Sequence, residues 1–328
     1  MGISQSAGEQ VLFPPLQAYD QGLRVTQDGH HLHWEEVGSP AGIPVFFLHG
    51  GPGGAALPVF RRLFDPALWR LILFDQRGCG RSKPTGLLRN NDTSHLLDDI
   101  EQLRVARGVS RMVLCGGSWG ATLALEYAKR HPARVLGMLL YGVFVGGQTD
   151  IESFFKASRA PVGSSAHLAW RAFVGHLEPD ERGIPLQAYH SRIHGPDERT
   201  ALAASLMWAR YEALIGAHPH GIGSDFLRLN KMQAQTLASL SSHYFMNNMF
   251  IGRDGVLGDL SRLRKTNTII VHGSEDIVCD VDRARRLHAA LPASRLHVLS
   301  GQGHSPQTAE YWQTLVSAGQ NLRKQCAK

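Results

Sequence analysis

The sequence predicts an α/β protein in which a mostly parallel central sheet is flanked by helices and interrupted by an inserted helical cap. Three observations carry this expectation. Short apolar runs alternate with helix-like stretches through the first and last parts of the chain, the signature of a sheet covered by helices. The alternation stops at about residue 146, and up to about 255 bulky residues recur at helical spacings instead. At 328 residues the chain is long for one domain, and an α/β core with one insertion accounts for that length. The expected organisation is a core built from residues 1–145 and 256–328, with the cap at 146–255.

The elements follow in order. LRVTQDGHHLHWEEVG reads as two antiparallel strands around Asp28 and Gly29, a strong hairpin dipeptide. IPVFFLHG, WRLILFD, RMVLCGG and VLGMLLYGVF read as successive buried strands. Between the second and third of these, DTSHLLDDIEQLRVARG reads as a helix, capped at Asp92 or Thr93 and closed at Gly108. ATLALEYAKRHP is the next helix, stopped by Pro132. In the insertion, Trp170, Phe173, Leu177, Leu202, Leu206, Trp208 and Tyr211 mark helical faces. The earlier rhythm returns with the strand in TNTIIVHGSED, the helix DRARRLHAALP, the strand in SRLHVLSGQGHS and a last helix, TAEYWQTLVSAGQNLRK.

Composition narrows the function classes. A content of 43% hydrophobic and 19% charged residues suits a globular protein with a substantial core. The net charge of +6 is dispersed, with no basic stripe and no nucleic-acid motif, so no nucleic-acid partner is expected. Acidic and basic residues balance within the insertion. Cys79, Cys115, Cys279 and Cys326 lie far apart with no C-x-x-C pair, which argues against a disulfide scaffold or a zinc knuckle and suits a reducing compartment. No secretory signal pattern is visible, and no apolar stretch approaches the ~20 residues that span a bilayer, so a cytoplasmic protein without membrane attachment is expected. MGISQS matches a loose myristoylation pattern that arises often by chance. His30, His31 and His33 do not make a metal site, because alternation along a strand separates His31 from the other two. Gly50, Gly51, Gly53 and Gly54 do not form G-x-G-x-x-G, and no P-loop lysine follows, so no nucleotide cofactor is expected.

The stretch LCGGSWGATLAL carries the chemistry. Strand, G-x-S-x-G, then helix is the pattern in which a sharp turn lifts a serine hydroxyl clear of the sheet edge. The following helix points its N-terminal amides toward the same place and favours developing negative charge. A serine hydroxyl is a weak nucleophile and needs a base, which an acid in turn orients. Both follow Ser118 in the order serine, acid, histidine: Asp276 after the strand TIIVHG, and His304 after the next strand. Glu275 is the rival acid, one residue off the motif position. Gly301 and Gly303 leave room for a flexible loop around the histidine. LHGGPGG supplies backbone near the turn, and the N–H groups of Gly51 and Trp119 are assigned as the oxyanion donors. The isomer of the bond before Pro52 stays open.

HGGPGG (49–54), LFDQRGCGRS (73–82), GGSWGATLALEYAKRHPARV (116–135), HYFMNN (243–248), HGSEDIVC (272–279) and GQGHS (301–305) together resemble the proline iminopeptidases, a family of α/β-hydrolase serine aminopeptidases. The resemblance runs from about residue 20 to 318. It implies the α/β-hydrolase fold, the triad Ser118, Asp276 and His304, and an oxyanion hole from Gly51 and Trp119. It also implies that glutamates of the cap bind the substrate's free α-amino group while aromatic side chains enclose the pyrrolidine ring. Glu212 matches one such glutamate, Phe144 and Phe245 match pocket aromatics, and Cys279 matches a cysteine near the pocket. Two positions depart from the family: Ser241 stands where a second glutamate is expected, and Tyr141 where an arginine is expected. The segment VGGQTDIESFFKAS is altered as well.

The expected activity is hydrolysis of short peptides or amino-acid amides with N-terminal proline, through an acyl-enzyme and without metal or organic cofactor. Two alternatives remain: hydrolysis of another small amide, ester or lactone, because the cap departs at Ser241 and Tyr141, and ligand binding without catalysis.

Overall fold

The computed structural model describes residues 10–155, 161–221 and 230–326; MGISQS and the end of VGGQTDIESFFKAS lie outside the described residues. The strands are β1 (Asp20–Val25), β2 (His31–Gly38), β3 (Ile43–Leu48), β4 (Trp69–Phe74), β5 (Met112–Gly117), β6 (Val135–Tyr141), β7 (Thr268–Gly273) and β8 (Ser294–Leu299). They form one sheet in the order β1-β2-β4-β3-β5-β6-β7-β8. The hairpin strands pair antiparallel with each other, and β2 pairs antiparallel with β4; the remaining pairs are parallel. This is the α/β-hydrolase fold.

The central strands are apolar throughout because both sheet faces are covered. In β3, Phe46 and Leu48 enter one core layer and Val45 and Phe47 the other; in β4, Ile72 and Phe74 oppose Leu71 and Leu73 in the same way. The edge strand β8 is different, since Arg295, His297 and Val298 are exposed.

The helices are α1 (Thr93–Ala106), α2 (Trp119–Arg130), α3 (Gln148–Phe154), α4 (Ser165–Gly175), α5 (Pro185–Ile193), α6 (Glu198–Gly216), α7 (Lys231–Met246), α8 (Val281–Ala290) and α9 (Ala309–Cys326). Asp92 is the N-cap of α1, its carboxylate accepting from the His95 amide at 3.0 Å. Helices α1, α2 and α8 bury their apolar faces in one layer, and α9 covers the other.

Between β6 and β7 the described residues form helices and no strand. Their shared core is aromatic: the Phe173 ring stacks on Tyr189 at 4.0 Å and on Tyr211 at 4.3 Å, with Trp208 fully buried beside them. Leu206 departs from the expected face and points outward, because two residues along a helix is more than half a turn from Trp208. Hydrogen bonds fasten this segment to the sheet layer. The Thr93 hydroxyl donates to the Met249 carbonyl, Tyr244 donates to Asn91 Oδ1 at 2.9 Å, and Arg283 donates to Asp150 Oδ1 at 2.8 Å. No helix among the described residues is long and apolar enough to cross a membrane.

Candidate active site

Strand β5 is buried to its last residue, and the chain then turns through Ser118 at φ 55° and ψ −125° into α2. That backbone is one L-residues rarely adopt and costs on the order of 1–3 kcal/mol. Its neighbours must be glycine: a Cβ at Gly117 would lie 2.1 Å from the Tyr141 ring, and one at Gly120 would lie 1.9 Å from the Leu48 carbonyl. The Ser118 amide donates to the Tyr141 carbonyl at 3.0 Å. The residue after Tyr141 is Gly142, whose Cβ position lies 3.3 Å from His304 Nδ1. Tyr141 thus seats the serine against the strand whose next residue lies beside the imidazole, with no room for a larger side chain. Ser118 and His304 make no hydrogen bond with each other among the described contacts; such catalytic pairs commonly tighten only in the substrate complex.

His304 Nδ1 pairs with Asp276 Oδ2 at 2.8 Å. The other carboxylate oxygen accepts from the amides of Val278 at 2.9 Å and Cys279 at 2.7 Å. Burial alone would raise the Asp276 pKa, but the charge of His304 and the hydrogen bonds from His272 and His304 hold it well below the usual carboxylate range. Glu275, the rival acid, is exposed. Gly303 does not serve looseness: a Cβ there would fall 1.6 Å from the His218 carbonyl, so the histidine loop is packed tightly against the chain after α6. The Ser305 amide adds a bond to the Gly216 carbonyl at 3.2 Å.

The loop 49–54 lies over the serine turn, with the Cβ position of Gly50 3.4 Å from Ser118 Cβ. Gly51 has φ +122°, and the bond to Pro52 is cis. Neither the Gly51 amide nor the Trp119 amide has a backbone acceptor among the described residues, as an oxyanion site requires. Gln76 braces both sides of this site. Its side chain donates to the His49 carbonyl at 2.8 Å and accepts from Trp119 Nε1 at 3.0 Å, while its amide donates to His49 Nε2 at 3.0 Å. Asp75 holds the far end of the loop by accepting from the Ala56 amide at 2.8 Å.

The residues expected to line a pocket come together from four elements. Phe144 and Phe245 meet edge to face at 6.3 Å, and Phe245 continues to Phe154 at 5.0 Å and Trp208 at 6.1 Å. Trp208 Nε1 donates to Glu212 Oε2 at 3.0 Å, one turn along α6. Ser241 Oγ donates to the Pro52 carbonyl at 2.7 Å and approaches Glu212 Oε2 at 3.5 Å. The Glu212 carboxyl therefore sits between an aromatic cluster and the loop 49–54. Burial pushes its pKa up to about 7, against the lowering effect of the Trp208 and Ser241 hydrogen bonds. Because the single Ser241 proton serves Pro52, a protonated Glu212 can complete the contact by donating to the hydroxyl. Tyr141 contributes no polar group here; its ring enters the opposite core layer, 6.4 Å from Phe60. Cys279 is buried, with its sulfur within 4.8 Å of ligand atoms of Asp276 and His304, so it lies beside the acid.

A family model described as the alpha/beta hydrolase fold matches residues 43–310. A proline iminopeptidase of Xylella fastidiosa is 38% identical over 311 residues, spanning 94% of this chain and 98% of its own length. The chain belongs to the proline iminopeptidase family. A proline iminopeptidase of Arabidopsis thaliana is 35% identical, spanning 96% of this chain and 83% of the relative. Among solved structures, an esterase from Rhodococcus sp. ECU1013 superposes with a TM-score of 0.59 at 23% identity, covering 93% of this chain and 98% of the esterase, which is a likeness of fold.

Three polar residues of this proline iminopeptidase family member escaped assignment from sequence. Gln76 stands in LFDQRGCGRS, His49 opens HGGPGG and His272 opens HGSEDIVC, but nothing local marks their partners. The available signal was polarity itself: each is buried, and a buried polar side chain requires a partner.

Proposed function

We propose that this chain is a serine aminopeptidase that releases N-terminal proline from short peptides and amino-acid amides. Ser118 attacks the prolyl carbonyl while His304 takes its proton, and Asp276 holds the imidazole in the productive tautomer. The Gly51 and Trp119 amides stabilise the oxyanion. The tetrahedral intermediate collapses as His304 protonates the leaving amine, and water activated by the same imidazole resolves the acyl-enzyme. Residues 146–255 act as a cap over this site, with Glu212 receiving the substrate ammonium and Phe144 and Phe245 flanking the ring.

The observation that carries the substrate assignment is the desolvated Glu212 carboxyl, bonded to Trp208 at 3.0 Å and linked through Ser241 to the oxyanion loop. A carboxylate beside aromatic rings suits an organic ammonium, whose pairing relieves the cost of burying the charge. The names of the relatives support the same reading. Cys79, Cys115, Cys279 and Cys326 form no disulfide among the described residues, which supports a cytoplasmic location.

A panel of prolyl arylamide, its N-acetylated form and a simple aryl ester tests this. Turnover of the free amine, with the acetylated compound at least about a hundred-fold slower, is the expected result. Ser241 in place of a second glutamate favours a broader amide or ester hydrolase as the competing reading. Equal turnover of free and acetylated substrates would select it.

A further inference from the structure

We infer that His272 is a positioning residue of the catalytic apparatus, a neutral imidazole whose Nε2–H donates to Asp276 and fixes the carboxylate that orients His304. The inference rests on the reading of Asp276 as the acid of the triad. His272 is fully buried near the end of β7. Its Nδ1 accepts from the Val143 amide at 3.0 Å, so that nitrogen carries no proton. The ring hydrogen therefore sits on Nε2, which faces two acceptors: the Cys279 carbonyl at 2.9 Å and Asp276 Oδ2 at 3.2 Å. The tautomer follows from the partners.

Asp276 is thereby ringed by donors, His272 sharing its one Nε2 proton between Oδ2 and the Cys279 carbonyl. Two backbone amides reach Oδ1, and two imidazoles reach Oδ2. Only His304 among these donors moves a proton in the proposed reaction, so His272 supplies the fixed partner on the same oxygen. Its other nitrogen, facing the Val143 amide, fixes the tautomer of the ring rather than the acid. The charged and titratable groups around this centre are Asp276, Asp280 and His304, with Tyr311 and Cys279 facing the acid.

Two amide substitutions separate the ring's two nitrogens. His272→Asn keeps an acceptor near the Nδ1 position for Val143 and loses the donor to Asp276; His272→Gln keeps the donor and loses that acceptor. The readout is the second-order rate at which a fluorophosphonate labels Ser118 between pH 5 and 9, which needs no knowledge of the substrate. Removing the N–H leaves more negative charge on the oxygen facing His304 and favours the imidazolium, so the acid limb moves to higher pH. For His272→Asn we expect labelling about ten-fold slower at the plateau and an acid limb about half a pH unit higher. His272→Gln should stay within about two-fold of wild type, with an unshifted limb. A wild-type profile for His272→Asn, or greater damage in His272→Gln, would overturn the inference. Ser118→Ala is the control: labelling that survives it sinks the triad itself, whereas silent Ser118→Ala with normal His272→Asn sinks only this proposal. Should both amide variants unfold, nitrogen-15 histidine spectra of the wild type decide, because a doubly protonated or Nδ1–H ring at position 272 near pH 7 contradicts the assignment.

Discussion

Replacing Glu212 by glutamine isolates the electrostatics of the pocket, since the amide keeps an acceptor for Trp208 and cannot ionise. The carboxyl titrates near 4.5 when solvated and at about 7 in the fold. At about 1.4 kcal/mol per pH unit, that gap is worth about 3 kcal/mol. Below the solvated value the group is protonated in both the folded and unfolded chain and contributes no difference. Between the two values the unfolded chain releases its proton while the native state keeps it, so native stability falls as pH rises. Above about 7 the deficit levels off. Glu212→Gln should therefore match wild type near pH 4 and exceed it by about 3 kcal/mol at pH 8, all other groups cancelling in the comparison. Urea unfolding at stepped pH measures this directly. The same variant should lose at least about a hundred-fold in kcat/KM on a free-amine prolyl substrate, because a buried ammonium is left unpaired. Parallel stability curves across the range would refute the claim that this carboxyl is desolvated.

Other perturbations address the remaining parts of the site. Gly117→Ala places a methyl 2.1 Å from the Tyr141 ring, so the turn or the ring must shift; we expect about 1–3 kcal/mol of destabilisation, read by thermal unfolding, together with slower labelling of Ser118. Gln76→Leu removes the partner of both the His49 carbonyl and Trp119 Nε1, and should lower kcat by about ten- to a hundred-fold with KM little changed. Ser241→Glu brings a second carboxylate to a position now 3.5 Å from Glu212, which should raise the Glu212 pKa further and move the acid limb of free-amine turnover upward.

How much was legible in the sequence follows from how local each signal is. The central strands were readable because burial on both faces leaves continuous apolar runs, as in IPVFFLHG. The serine turn was readable because steric need writes glycine at adjacent positions, Gly116, Gly117 and Gly120. Position alone favours Asp276 over Glu275; in the fold the first pairs with His304 and the second is exposed. The environment of Glu212 was not readable, since it depends on α6 and α7 packing against the loop at Pro52, 189 residues from Ser241. His272 finds its amide donor 129 residues away, beyond the reach of any motif. The packing of Tyr141 and of Gly303 is not readable for a related reason. A residue's type does not reveal which sheet face it enters or what backbone will press against it, and here those are the α9 layer and the His218 carbonyl.

The proposed chemistry stands on one nucleophile. Incubating the folded protein with a fluorophosphonate and locating the adduct by peptide mass spectrometry tests it most directly. The expected result is a single phosphonylated residue, Ser118, with labelling lost in His304→Ala and prevented by a free-amine prolyl inhibitor. An adduct on a different serine, or an intact protein that takes no label across pH 6–9, would contradict it.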